Sequence, residues 1–196
     1  SLLDDRPLTL ITFYRAYLAA ADLSAVEALY HALDHRGFRT LGLFAPSLKA
    51  PDAAGWLARQ IAHLKPSAIV NATAFSGKGS TGTSPLDAGD VPVFQVALST
   101  ATRDMWAEAE RGLSPADLAM HVVLPEVDGR LFAGVASFKE PQTRDPDLQF
   151  ARYAHKADAE RVQTVADKVK AWVDLAARPA DQRKPALVLS TYPGKD

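Results

Sequence analysis

"LTLITFY", residues 8–14, is an unbroken run of apolar and β-branched residues, and its reading sets the architecture. Seven residues is a strand's length and short for a helix. The run is continuous rather than alternating, which predicts a strand buried on both faces. Downstream, "LSAVEALYHALDHRG" (23–37) places Val26, Leu29, Tyr30 and Leu33 on one helical face. Ser24 and Glu27 stand at capping-box spacing, and Gly37 supplies a C-terminal stop. "FRTLGLF" (38–44) is a second strand, and "APDAAGWLARQIAHLKP" (50–66) a second helix with Leu57, Ile61 and Leu64 on one side and Pro66 at its end. "SAIVNATAF" (67–75) is a third strand. Strands alternating with helices through short connections predict a parallel sheet covered on both faces.

The pattern continues with a polar, glycine-rich loop at 76–90 and a fourth strand, "VPVFQVALS", at 91–99. "TRDMWAEAERG" (102–112) is a short helix. Ser114, Pro115 and Asp117 then open another helical turn, with a capping hydroxyl, a proline suited to the first position and an acid at the positive end. "LAMHVVL" (118–124) predicts a fifth strand, and "RLFAGVASF" (130–138) a strand that pairs with it across the acidic turn between them. Residues 139–156 predict a long loop; 157–177 form the clearest helix, with Val162, Val165, Val169, Trp172 and Val173 on one stripe; 186–192 predict a last strand. The expected fold is α/β: a flavodoxin-like three-layer α/β/α sandwich with a mainly parallel sheet of about five strands, one domain over 1–196.

Bulk properties exclude several classes. A net charge of −1 gives the chain no electrostatic reason to bind nucleic acid or an anionic membrane. No apolar run approaches the roughly 20 residues of a membrane span, and the N-terminus lacks a signal peptide's apolar segment. With no cysteine, disulfides, thiolate metal sites and cysteine nucleophiles are removed, which fits a reducing cytoplasm. The start at Ser1 and the stop at "STYPGKD" both read as cut ends, so a fragment of a longer chain is expected.

Two tempting motifs are set aside. Gly77, Gly79 and Gly82 match G-x-G-x-x-G after a strand, but Thr83-Ser84-Pro85 follows where a dinucleotide site needs an opening helix. The segment reads as a mobile loop or lid. His31 and His35, one helical turn apart, lack the third ligand a zinc site needs and lie off the apolar stripe, so they face water.

Strand ends are the better place, because open parallel sheets bind ligands beyond the carboxyl ends of their strands. There stand Tyr14 and Arg15, Pro46 and Ser47, Phe75 and Ser76, Ser99 and Thr100, and Glu126 and Asp128. That mixture suits a ligand with carboxylate or amide groups on a flat apolar body. In "HVVLPEVDGR" (121–130), Asp128-Gly129 is an ordinary turn signal, but no turn requires Glu126. Pro125 restricts the backbone that aims it. A carboxylate beside another and an apolar wall suits proton transfer near neutral pH.

The order of "NATAFS", "SPLDAGDVPVFQVALST", "RGLSPADLAMHVVLPEVDGRLFAGVASFKE" and "STYPGKD" resembles the family of CobN and the magnesium chelatase large chain, from about Leu8 to Asp196. Gly194 stands where that family usually has asparagine. The resemblance implies an internal portion of a much longer cobaltochelatase large subunit. Such a subunit takes part in ATP-dependent insertion of Co²⁺, a substrate, into hydrogenobyrinic acid a,c-diamide, a corrin precursor of vitamin B12. It also implies that ATP and Mg²⁺ are used by partner AAA+ motor subunits (CobS, CobT) rather than bound here, in keeping with the missing Walker A sequence. Glu126 falls on the family's "L-P-E-x-D-G" glutamate, implied to be a catalytic acid and a metal-handling oxygen ligand, with Asp128 as helper or turn residue. Tyr14, Arg15, Phe75, Ser76, Gln95 and His121 are further candidates for contact with the macrocycle, His121 facing either the site or the core. Two alternatives stay open: Mg²⁺ insertion into protoporphyrin IX, and a non-catalytic scaffold or docking domain of the same complex.

Overall fold

The computed structural model describes residues 4–79, 82–142 and 152–188. A six-stranded sheet has the order β2-β1-β3-β4-β5-β6. Its strands are β1 (Leu8–Tyr14), β2 (Arg39–Ala45), β3 (Ala68–Asn71), β4 (Val93–Leu98), β5 (Leu131–Pro141) and β6 (Tyr153–Ala157). The first five run parallel in the flavodoxin-like order 2-1-3-4-5, and β6 adds antiparallel to β5. The expected three-layer α/β/α sandwich is the fold found.

Alternate residues of each strand build two different layers. Ile11, Val70, Phe94 and Val96 point to the side covered by α2 (Ser24–Asp34) and α7 (Ala159–Ala177), where they pack with Leu29, Leu33, Val165 and Val169. Arg36 ties these helices together, donating to Gln163 Oε1 at 2.7 Å and pairing with Asp167 at 2.7 Å. Leu10 and Ile69 point to the other side, against Leu57 and Ile61 of α3 (Pro51–Leu64) and Leu86 of a 3₁₀ turn, Pro85–Gly89. Farther along β4 and β5, Ala97, Val135 and Phe138 pack with Leu113 and Val122. Two short helices, α1 (Arg15–Ala19) and α4 (Arg103–Glu108), follow β1 and β4.

The expected strand at 118–124 is helical. Helix α5 (Pro115–Leu118), a π-turn (Ala119–Val123) and α6 (Leu124–Val127) run continuously. The reason lies in residues already noted: Ser114 caps the start, its Oγ accepting from Asp117 N at 3.1 Å, and Pro115 follows. That cap opens a helix long enough to absorb the apolar run. Pro125 has no N–H to return to the preceding turn, and a widened turn accommodates it. The Met120 carbonyl instead accepts Phe75 N at 2.8 Å. The segment at 130–138 therefore does not pair back across the acidic turn; it is the fifth parallel strand, hydrogen-bonded to β4 with two register shifts.

Three smaller expectations are corrected. Ser24 does not cap α2: Leu23 is the N-cap without a side-chain bond, and Ser24 Oγ accepts from Ala157 N at 3.0 Å. The stretch 139–156 read as loop holds the end of β5 and most of β6, the latter because Ser137, Asp22 and Ser24 give its polar groups partners. Residues 186–188 form no strand, and the remainder of the expected last strand lies outside the described residues.

Candidate functional site

The strand order reverses between β1 and β3, and the chain leaves both strands there as polar or aromatic sequence. Tyr14 ends β1 half-buried, its hydroxyl donating to Ala74 O at 2.7 Å. Burial raises its pKa above the ordinary tyrosine value, so it remains a neutral donor. Arg15, next in sequence, is exposed. Phe75 is 47% exposed with φ 66°, left-handed geometry that a bulky side chain rarely adopts.

Beneath the segment that follows β3 runs a buried polar chain. Thr12 Oγ1 donates to Asn71 Oδ1 at 2.7 Å, and Asn71 Nδ2 to Gln95 Oε1 at 2.7 Å. Gln95 Nε2 donates to Thr73 O at 2.7 Å. Arg130 Nη1 reaches Gln95 Oε1 at 3.3 Å and Phe75 O at 3.5 Å, while Nη2 pairs with Asp128 Oδ2 at 3.0 Å. The side chains of that pair are 2% and 1% exposed. Asp128 also accepts from Ser76 Oγ at 2.7 Å and from Gly77 N at 2.6 Å. The pair is thus embedded in further hydrogen bonds, which is what a buried ion pair requires.

The first glycine of the set-aside G-x-G-x-x-G motif belongs to this arrangement. A β-carbon on Gly77 would collide with Arg130 Nη2 and lie 2.9 Å from Ser84 Oγ. The loop opens no α-helix downstream: Ser84 and Asp87 form a capping box over the 3₁₀ turn at Pro85–Gly89. Both His31 and His35 are exposed. Among the described residues no group of three or more His, Cys, Asp or Glu could hold a metal ion, and no helix is long and apolar enough to cross a membrane.

Glu126 and Asp128, two residues apart, are separated in environment. Asp128 is interior and committed; Glu126 is exposed on α6 and has no side-chain hydrogen bond or ion pair among the described residues. Around Glu126 the helical segment exposes Val123 (48%), Leu124 and Val127 (70%). Adjoining it, a cavity of about 480 Å³ is lined by Met105, Leu113, Leu118 and Val123 among others. Lys78 Nζ donates to Val127 O at 3.3 Å, so the segment after Phe75 lies alongside this surface.

Gln95 and His121 are placed inside. Gln95 is 1% exposed with both ends of its amide hydrogen-bonded, so its side chain supports the site from beneath. His121, on the π-turn, is 4% exposed, and its Nδ1 has no partner among the described residues. Burial lowers its pKa, opposed by Asp117. Asp117 gathers Ser99 Oγ at 3.0 Å and Thr100 N and Oγ1 at 2.9 Å. Sequence reasoning missed Arg130, Asn71, Thr12 and Thr73. The available signal was that Thr12, Asn71 and Gln95 each break an apolar run, and that Asp128 has an arginine two residues on.

A doubly covered, flavodoxin-like sheet with an apolar, carboxylate-bearing helical segment packed against β4 and the start of β5 defines the class. The chain belongs to the CobN/Magnesium Chelatase family, whose model matches residues 2–196. It is 34% identical over 193 residues to an aerobic cobaltochelatase subunit CobN from Sinorhizobium sp, covering 97% of this chain and 15% of that protein. To the CobN of Pseudomonas aeruginosa it is 36% identical, with coverages of 97% and 15%. The H component of magnesium chelatase from Rhodobacter capsulatus is 27% identical, with coverages of 93% and 16%. The catalytic subunit of cobaltochelatase from Mycobacterium tuberculosis superposes with a TM-score of 0.74 at 30% identity, over 91% of this chain and 15% of that one. The chain thus spans about 15% of the length of these CobN relatives.

Proposed function

We propose that this chain forms part of the tetrapyrrole- and metal-handling wall of a cytoplasmic cobaltochelatase large subunit, with Glu126 as its reacting carboxylate. The observation that carries the reading is the contrast between the two acids. Asp128 is consumed by Arg130, whereas Glu126 stands unpaired among the described residues on an exposed apolar surface. Insertion of Co²⁺ into hydrogenobyrinic acid a,c-diamide requires removal of ring N–H protons and stripping of water from the cation. An exposed carboxylate on an apolar wall can accept a proton and offer a hard oxygen to the metal. Motor subunits of the CobS and CobT type would supply the ATP and Mg²⁺ chemistry. The higher identity to the CobN proteins than to the magnesium-chelatase relative supports cobalt and a corrin over Mg²⁺ and protoporphyrin.

The test is Glu126→Gln in a complete subunit carrying this chain. Metal insertion is expected to fall at least 100-fold, the lower end of a general acid–base contribution, while corrinoid affinity stays within about threefold. A second reading, a scaffold that docks other parts of the complex, draws on the same exposed Val123, Leu124 and Val127. Unchanged insertion in Glu126→Gln would favour it.

A further inference from the structure

We infer that Arg130 is a positioning residue for Phe75: with Asp128 it clamps residues 75–77 so that the phenyl ring is held rigidly outward as a stacking platform for a flat, largely apolar ring. The inference rests on the tetrapyrrole reading for the ligand and on the geometry alone for the clamp. Left-handed geometry at φ 66° suits glycine or asparagine; a phenylalanine there is strained. The strain gains little for the core, since the ring is 47% exposed. A residue that costs backbone energy without filling the interior breaks the local rules of folding, and such conflicts concentrate at functional positions.

The surroundings hold this conformation in place. Ala74 O accepts Tyr14 Oη, Phe75 N donates to Met120 O, and Phe75 O accepts Arg130 Nη1. Ser76 Oγ and Gly77 N both donate to Asp128. Phe75 is therefore fixed by β1, the π-turn and the buried ion pair on its two sides. The Arg130 side chain reaches Phe75, Asp128 and Gln95 together. Only a glycine at 77 lets its guanidinium come so close. Ordering an aromatic ring in advance reduces the entropy lost when a flat ligand stacks on it, and such stacking accounts for roughly 10- to 100-fold in affinity per ring.

The experiment uses a complete subunit carrying this chain, with deuteroporphyrin IX and cobinamide as spectroscopic probes and hydrogen–deuterium exchange read over residues 72–79. Phe75→Gly is expected to weaken probe binding at least tenfold while exchange stays as slow as in the wild type or slower, because the strain is relieved. Phe75→Tyr should restore affinity to within about threefold. Arg130→Lys keeps the charge beside Asp128 but loses the fork; it should speed exchange about tenfold or more and weaken both probes. Faster exchange in Phe75→Gly would make the ring a packing residue and overturn the inference, as would unchanged affinity in Phe75→Gly or slow exchange in Arg130→Lys. No spectral change with either probe in the wild type would sink the tetrapyrrole reading and the platform with it. The exchange rates would still judge the clamp.

Discussion

The two faces of the sheet are made from neighbouring residues of the same strands, yet they are held by different forces. On the α2–α7 face, Ile11, Val70 and Phe94 continue into Val96 and Leu98 with no polar side chain among them. On the opposite face, Leu10, Ile69 and Val93 give way one step later to Thr12, Asn71 and Gln95, and these lead to Arg130 and Asp128. The first face is non-directional and tolerant; its stabilisation follows buried area. The second is directional: each group stays inside only while its partner does. The candidate-site segment, Ala74 to Gly77, rests on the second face.

The largest effect should come from breaking the polar face at its ion pair. Asp128→Ala leaves the Arg130 guanidinium buried without its carboxylate and frees Ser76 Oγ and Gly77 N. Loss of one partner of a buried pair costs about 3–5 kcal/mol. Urea denaturation of the variant should show that loss, with little dependence on salt because the pair is shielded from solvent. A loss below about 1 kcal/mol would mean that the pair does not carry the polar face.

What the sequence made legible follows the same division. Strands β1 to β4 and helices α2, α3 and α7 were readable because their apolar spacing reflects nonspecific burial, and periodicity reports burial directly. "LAMHVVL" was misread because a short apolar run fits a strand or a helix equally; the cap at Ser114 decided it. Strand β6 was hidden because its partners lie far away in sequence, as with His155 N donating to Asp22 Oδ1 at 2.8 Å. The candidate site divided likewise. Phe75 could be named as a residue beyond a strand end; Glu126 was named on the expectation of a strand at 118–124 and stands instead on a helix that leads into β5. The clamp could not, since Arg130 meets Phe75 across 55 residues and no local pattern encodes such a contact.

A second prediction concerns a polar group buried without an ion pair among the described residues. His155 is buried at the β5–β6 seam, its Nδ1 3.0 Å from Ser137 Oγ and its ring edge against Tyr17. Burial, aided by Lys139, lowers its pKa from 6.5 to about 4; Asp22 and Asp117 oppose this, and His121 adds to it. In the unfolded chain the imidazole takes a proton below about 6.5, while the folded state cannot until about pH 4. The unfolded state therefore binds more protons across that window, and stability falls as pH drops from about 6.5 to 4. The full shift corresponds to about 3 kcal/mol. His121, whose pKa burial also lowers, acts in the same direction. His155→Gln should flatten the pH dependence of the unfolding midpoint in this range; an unchanged slope would assign it to other groups.

The smallest effect belongs to the apolar face and tests whether the contrast is one of kind. Val165 on α7 is wholly buried, and its side chain lies near Gly134 of β5, where φ is 146°. Val165→Ala removes two methyl-sized groups, about 0.8 kcal/mol of transfer free energy each, plus a modest cavity cost. The expected loss is about 2 kcal/mol, with the same value at pH 5 and pH 7 and in low and high salt, because nothing charged changes its surroundings. Hydrogen exchange over residues 74–77 should keep its wild-type pattern, since Val165 packs among Ile11, Val70, Ala72 and Phe94 and none of residues 74–77 belongs to that cluster. If Val165→Ala loosened that segment as strongly as Asp128→Ala, the two faces would be one cooperative unit. The buried polar chain would then be ordinary core with no separate hold on residues 74–77.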